Sequence, residues 1–162
     1  VRSLTQDWWS LLFWLLLTFV AGAVGAIASS DAPEFYLQLQ RPDWAPPARL
    51  FGPVWSTLYF LMAIAVWLVW RERRLHAGIL PYALYVAQLA VNALWSWLFF
   101  AWHQGQLAFI EVLVLWALIV ATMCSFRTIK PLATWLFVPY LAWVSFAAAL
   151  TYATWQLNPE LL

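Results

Sequence analysis

The chain has 162 residues, 65% of them hydrophobic and 9% charged, with a mean hydropathy of +0.77 and a net charge of +1. Soluble domains are closer to half apolar and a quarter charged, so the excess apolar surface belongs in lipid. The near-zero charge argues against electrostatic binding of nucleic acid, which needs a basic patch or stripe, and a single cysteine, Cys124, excludes an intrachain disulfide and a thiolate zinc site.

From the N-terminus, Trp8–Ala28 is the first run long enough to cross the hydrocarbon as a helix, which takes about 20 apolar residues. It ends Ala26-Ile27-Ala28-Ser29, resembling a signal-peptidase site. The run is long for a signal segment and only Arg2 precedes it as a basic residue, so the helix is expected to be retained. Gly22 with Ala26, and Ala21 with Gly25, have the small-xxx-small spacing that lets backbones approach closely in lipid. The connection 29–52 is the one with room for structure. Pro33–Leu39 has the length of about one and a half helical turns. Arg41-Pro42-Asp43-Trp44-Ala45-Pro46-Pro47 cannot be regular helix, because its prolines block it. A rigid cap over one end of a bundle is the expectation. Four further spans follow: Pro53–Trp70, Ile79–Trp102, Leu107–Phe126 and Pro131–Leu157. Pro53, Pro81 and Pro131 stand at or near helix starts, where a missing N–H is harmless. Pro139 lies inside the last span and is expected to kink it. The fold class is therefore an all-α membrane protein: one domain over 1–162, a bundle of five transmembrane helices with a structured loop between the first and second.

Charge asymmetry sets an orientation. Arg2, Arg71, Arg73, Arg74, Arg127 and Lys130 fall on one side. Arg41 and Arg49 fall on the other, beside Asp31, Glu34, Asp43 and Glu160. The N-terminus is expected in the cytoplasm, with the C-terminus and loop 29–52 outside.

Polar groups inside the spans are costly and earn individual attention. Gln88, Asn92 and Ser96 share one helix face. They either bond neighbouring helices together or line a cavity. Glu111, near the start of the fourth span, is expected to favour the helix dipole and reach the interface. His76 and His103 lie far apart in polar connections, so no metal site is expected, and Cys124 is expected to be a packed helix residue. With 14 Trp, 11 Phe and 6 Tyr, an interfacial belt does not use up all the aromatic rings. Trp95, Trp116 and Trp143 fall mid-span, and each either packs helices or lines a pocket. Aromatic surface with a few amides and hydroxyls suits a planar apolar ligand held in one orientation. The small pair Ala83 and Ala87 makes a homodimer through the third span a hypothesis.

Three segments carry a resemblance. They are Arg41-Pro-Asp-Trp-Ala-Pro-Pro47 with Phe51-Gly-Pro-Val-Trp-Ser-Thr-Leu-Tyr59, then Gln88 through Asn92 to Trp95-Ser96 and Phe99-Phe100, then Pro139-Tyr140-Leu-Ala-Trp143 continuing to Leu157-Asn158. Together they resemble the translocator protein family (TspO/MBR), also called tryptophan-rich sensory proteins or peripheral benzodiazepine receptors. The resemblance spans nearly the whole chain. It implies a five-helix bundle, often dimeric, that binds porphyrins and in some members sterols or synthetic benzodiazepine-type ligands, with no resident cofactor required. Carried over by motif position, the ligand-binding residues would be Tyr36, Trp44, Trp55, Tyr59, Gln88, Asn92, Trp95, Ser96, Trp143 and Ala147. The positions of Trp55 and Trp143 are those the family implicates in porphyrin photo-degradation.

Two departures stand out. The family's Leu-Asn-Tyr is Leu150-Thr151-Tyr152 here, and no Lys or Arg follows Tyr152, with Gln156 where a basic residue would complete the sterol-recognition pattern. Strong cholesterol binding is therefore not expected, and a bacterial cell membrane is the expected setting. Three functions remain in view: a porphyrin-binding receptor or sensor, a light- and oxygen-dependent porphyrin-degrading enzyme using Trp55 or Trp143, and a porphyrin or lipid transporter.

Overall fold

The structure is a computed structural model that describes residues 4–72 and 78–162, with the side chains of 4–6 left aside. Arg2, Arg73, Arg74 and His76 lie outside the described residues. The described chain is helical, without strands: α1 (Leu4–Ala28), α2 (Ala32–Gln38), α3 (Phe51–Arg71), α4 (Leu80–Ser96), α5 (Gly105–Arg127) and α6 (Pro131–Leu157). A single 3-10 turn, Ala48–Leu50, leads into α3, and a π-helical turn, Trp97–Ala101, extends α4. All the long helices are long and apolar enough to span a bilayer, and α2 with the following loop forms the cap.

The sequence boundaries need small corrections. α1 begins at Leu4 rather than Trp8, α3 at Phe51 rather than Pro53, and α5 at Gly105 rather than Leu107. The third span is not one α-helix throughout, since its last turn widens into the π form. Pro81 and Pro131 stand in the first turns of α4 and α6 as expected, Pro53 is the third residue of α3, Pro33 falls in the first turn of α2, and α6 continues through Pro139.

Neighbour relations close the long helices into a ring in the order α1, α3, α6, α5, α4 and back to α1. Small residues let the ring close. A Cβ on Gly22 would stand 2.7 Å from the Tyr59 ring of α3, and one on Gly25 would stand 3.3 Å from Ser96 Oγ of α4. A Cβ at Gly22 would force the Tyr59 ring to move, and one at Gly25 would press on the Ser96 hydroxyl. The end of the ring where α1 begins is filled by Met62, Val66, Val69, Tyr85, Ile119, Phe126 and Phe137. That end is tied by an ion pair of Arg71 with Asp7 at 3.5 Å, an ion pair of Lys130 with Glu72, and the Trp67 indole N–H donating to the Asp7 carbonyl at 3.0 Å. Thr18 adds a hydroxyl contact of 2.6 Å with Tyr85.

Two expectations about single residues change. Glu111 does not reach the interface: it lies in the second turn of α5 and is only 8% exposed, with neither carboxyl oxygen bonded to a protein group. Cys124 is exposed on α5, facing outward rather than packed.

Candidate functional site

At the end of the ring beneath the cap, the helices do not fill the space between them. They enclose a cavity of about 530 Å³, well inside the roughly 300–1,000 Å³ of pockets that hold drug-sized ligands. Every long helix contributes wall. Gly22, Gly25 and Ala26 come from α1, and Trp55 and Tyr59 from α3. Asn92, Trp95 and Ser96 come from α4, Val112 and Leu115 from α5, and Trp143, Ala147 and Thr151 from α6. Pro33 and Tyr36 of α2 close the top.

The floor is a directed chain of hydrogen bonds. The Tyr59 hydroxyl donates to Asn92 Oδ1 at 3.2 Å. Asn92 Nδ2 donates to the Tyr140 hydroxyl at 2.6 Å, which donates in turn to Gln88 Oε1 at 2.8 Å. Gln88 Nε2 ends the chain on the Met62 sulfur at 3.8 Å. Interhelical bonds of this kind average only about 0.6 kcal/mol in lipid. Their larger effect is orientation: each group uses its donor on the next, so the rotamers of Tyr59 and Asn92 at the cavity surface are fixed together.

Aromatic rings make the sides. Trp55 lies 5.6 Å from Tyr59 and meets Tyr140 edge-on at 6.3 Å. On α4, Trp95 stacks on Phe99 at 5.1 Å with only 10° between planes. Above, Tyr36, Phe51 and Trp143 form a run of edge contacts at 5.6 and 6.0 Å. The roof is pinned from two directions. The Tyr36 hydroxyl donates to the Pro46 carbonyl at 2.8 Å. Asn158, at the end of α6, accepts from the Gln40 N–H and donates to the Gln40 carbonyl, both at 2.8 Å. Burial raises the Tyr36 phenol above its ordinary value, and the Arg41 guanidinium over its ring at 4.5 Å pulls partly the other way.

Of the residues singled out from sequence, Tyr36, Trp55, Tyr59, Asn92, Trp95, Ser96, Trp143 and Ala147 meet around this one cavity. Gln88 does not line it. It is fully buried one helical turn below Asn92, where its amide is taken up by Tyr140 and Met62. Trp44 does not line it either: it stands half exposed on the cap, edge-on to Phe146 at 5.6 Å. Trp116 packs outside, its N–H donating to Ser145 at 2.9 Å. The reading of sequence missed Phe51, Phe99, Val112, Leu115, Thr151 and Thr154. The apolar ones carry no signal, because a cavity wall and a packed core use the same residue types. Thr154 had a weak one, a hydroxyl in an otherwise apolar run. The structure leaves that hydroxyl, like the Trp95 N–H, buried without a protein partner.

Comparison with known proteins agrees with this architecture. The sequence profile described as the TspO/MBR family matches residues 13–156. The chain is 40% identical to protein CrtK of Rhodobacter capsulatus, covering 86% of each chain. It is 36% identical to the tryptophan-rich sensory protein of Cereibacter sphaeroides, over 96% of this chain and 95% of that one. It is also 40% identical to the translocator protein of Ovis aries, over 77% and 75% respectively. With five apolar helices closing on an aromatic cavity and relatives that match along most of their length, this multi-pass membrane protein belongs to the TspO/MBR family.

Proposed function

We propose that the protein is a membrane receptor or sensor whose cavity binds a planar tetrapyrrole of the protoporphyrin type. The carrying observation is the wall itself: indole and phenol rings on opposite sides of one space, with a fixed amide and hydroxyl at the floor. Flat apolar molecules gain from ring contacts, and a few placed polar groups set their orientation. The family's porphyrin link, stated above as a resemblance, supports the same ligand class. In this reading Trp55, Trp95 and Trp143 contact the ring system, while Asn92 and Tyr36 address its edge. Gln88 and Trp44 act indirectly, Gln88 by holding Tyr140 and Trp44 by bracing Phe146 beside Trp143. The N-terminus lies in the cytoplasm and the cap outside. Neither sterol binding nor a dimer through Ala83 and Ala87 is required by the cavity.

The test is a protoporphyrin titration of purified, detergent-solubilised protein, followed at the Soret band. A saturable shift is expected, weakened about tenfold by Asn92→Ala, the scale of one lost hydrogen bond, and weakened also by Trp143→Phe. An unsaturable response, the same in all three proteins, would overturn the reading.

A second reading is favoured by one observation: both Trp55 and Trp143 line the cavity. A bound porphyrin would then act as photosensitiser, with dioxygen as oxidant and an indole as electron donor. Aerobic illumination separates the two readings. Loss of the porphyrin spectrum that depends on protein and slows in Trp143→Phe supports degradation, and an unchanged spectrum removes it.

A further inference from the structure

The cavity has two possible ways out, and the structure treats them differently. The water-facing end is roofed. Opening it would break the paired Asn158–Gln40 bonds and the Tyr36–Pro46 bond, and would expose Phe35, Tyr36 and Leu39, all of them buried. Pro42, Pro46 and Pro47 stiffen the same segment.

The seam between α1 and α3 is closed only in part. Towards the end where α1 begins it is shut by the Trp67–Asp7 bond and by Trp14 meeting Trp70 edge-on at 6.0 Å. At mid-height Gly22 and Tyr59 touch. Beyond that point Ala23 and Ala26 of α1, and Gly52 and Ser56 of α3, line the cavity and are themselves exposed, as is Pro33 on the cap. Exposed lining residues gathered on one helix pair, against Pro33 alone on the cap, mark the seam as the thin part of the wall. Its lips are small side chains, and a Cβ on Gly52 would meet nothing within 4 Å. Ala23 and Ser56 fall inside the stretches of α1 and α3 that are long and apolar enough to cross a bilayer, so a gap between them would open towards lipid.

We infer that the cavity is loaded sideways from the outer leaflet, through a window between the C-terminal half of α1 and the N-terminal half of α3, by a flat lipophile already dissolved in the bilayer. The inference rests on the reading that the cavity binds such a ligand. It adds the route, and with it a selection rule. A molecule must partition into lipid before it can bind, so affinity and membrane solubility act in series. The pinned roof keeps the site from exchanging directly with water.

The test is stopped-flow Soret kinetics on protein reconstituted in phosphatidylcholine vesicles preloaded with protoporphyrin IX. Gly52→Phe places a ring in the window where the backbone has room for it. Association and dissociation should both slow by about tenfold, a barrier rise of about 1.4 kcal/mol. Asn158→Ala, which unpins the roof, should leave both rates as they are. Ser56→Phe obstructs the same opening from a second position and carries the test should Gly52→Phe fold poorly by thermal unfolding. Faster exchange in Asn158→Ala with unchanged rates in the window variants would overturn the inference in favour of the roof. So would a window variant that weakens Kd at an unchanged association rate, because the new ring would then be filling the cavity instead of gating it. Failure of the unmodified protein to bind protoporphyrin at all would overturn the ligand assignment itself, a result distinct from either kinetic outcome.

Discussion

Asn92 shows how one side chain can tie helices together and still border a cavity. Its amide accepts from Tyr59, donates to Tyr140 and still borders the cavity. Sequence placed Gln88, Asn92 and Ser96 on one face but left open whether that face binds helices or lines a space. The structure divides the stripe: Gln88 is wholly internal, Ser96 lines the cavity, and Asn92 does both. Tyr140→Phe would remove the central link and leave both amides short of a partner. A loss of about 1–3 kcal/mol in thermal unfolding is expected, together with weaker porphyrin binding through the freed Asn92. Glu111 argues the opposite way. Its carboxyl is buried without a protein hydrogen bond, an arrangement that costs about 1–3 kcal/mol. Glu111→Met keeps the volume and removes the polar group, so the melting temperature in detergent should rise. A fall would show that the carboxyl has a stabilising role that the helix packing does not reveal.

At the scale of elements, the approach of α1 to α3 depends on Gly22. Any Cβ there meets the Tyr59 ring, which is itself held between Phe19 and Trp55. Gly22→Val should therefore cost about 1–3 kcal/mol by overpacking, read as a lower melting temperature, while Gly52→Ala, with open space around it, should be near neutral. The cap offers a prediction in pH. Because burial raises the Tyr36 phenol, the closed cap holds that proton more tightly than the open chain does. Its contribution is intact below the ordinary tyrosine value of about 10 and is lost as pH rises through the higher folded value, where the ionised oxygen can no longer donate to Pro46. Proteolysis within residues 39–47 should be slow at neutral pH and accelerate above about pH 10. Tyr36→Phe should cleave faster at neutral pH and lose the alkaline step. Much of the cap was readable: Pro33–Leu39 gave its short helix and the prolines gave its irregular second half. Its fastening to Asn158 was not readable, because that contact joins residues 118 positions apart.

Across the whole molecule, hydropathy alone delivered the five spans and their approximate limits, since a bilayer demands long apolar runs whatever the packing. It could not deliver the ring order, which depends on which faces carry small residues, nor the hollow half beneath the cap. Eight of the ten residues chosen by motif position do meet around one cavity, whereas the apolar wall from α1 and α5 had no mark to distinguish it from core. The central claim is that the ligand sits inside the ring and not on the aromatic outer surface. A matched pair of variants tests it most directly in the Soret titration. Ala147→Phe fills the cavity, and Trp116→Phe alters an indole outside it. Protoporphyrin affinity should fall at least about tenfold, some 1.4 kcal/mol, in the first and stay unchanged in the second. Equal affinity in Ala147→Phe and the unmodified protein would contradict the account and move the porphyrin to the lipid-facing surface.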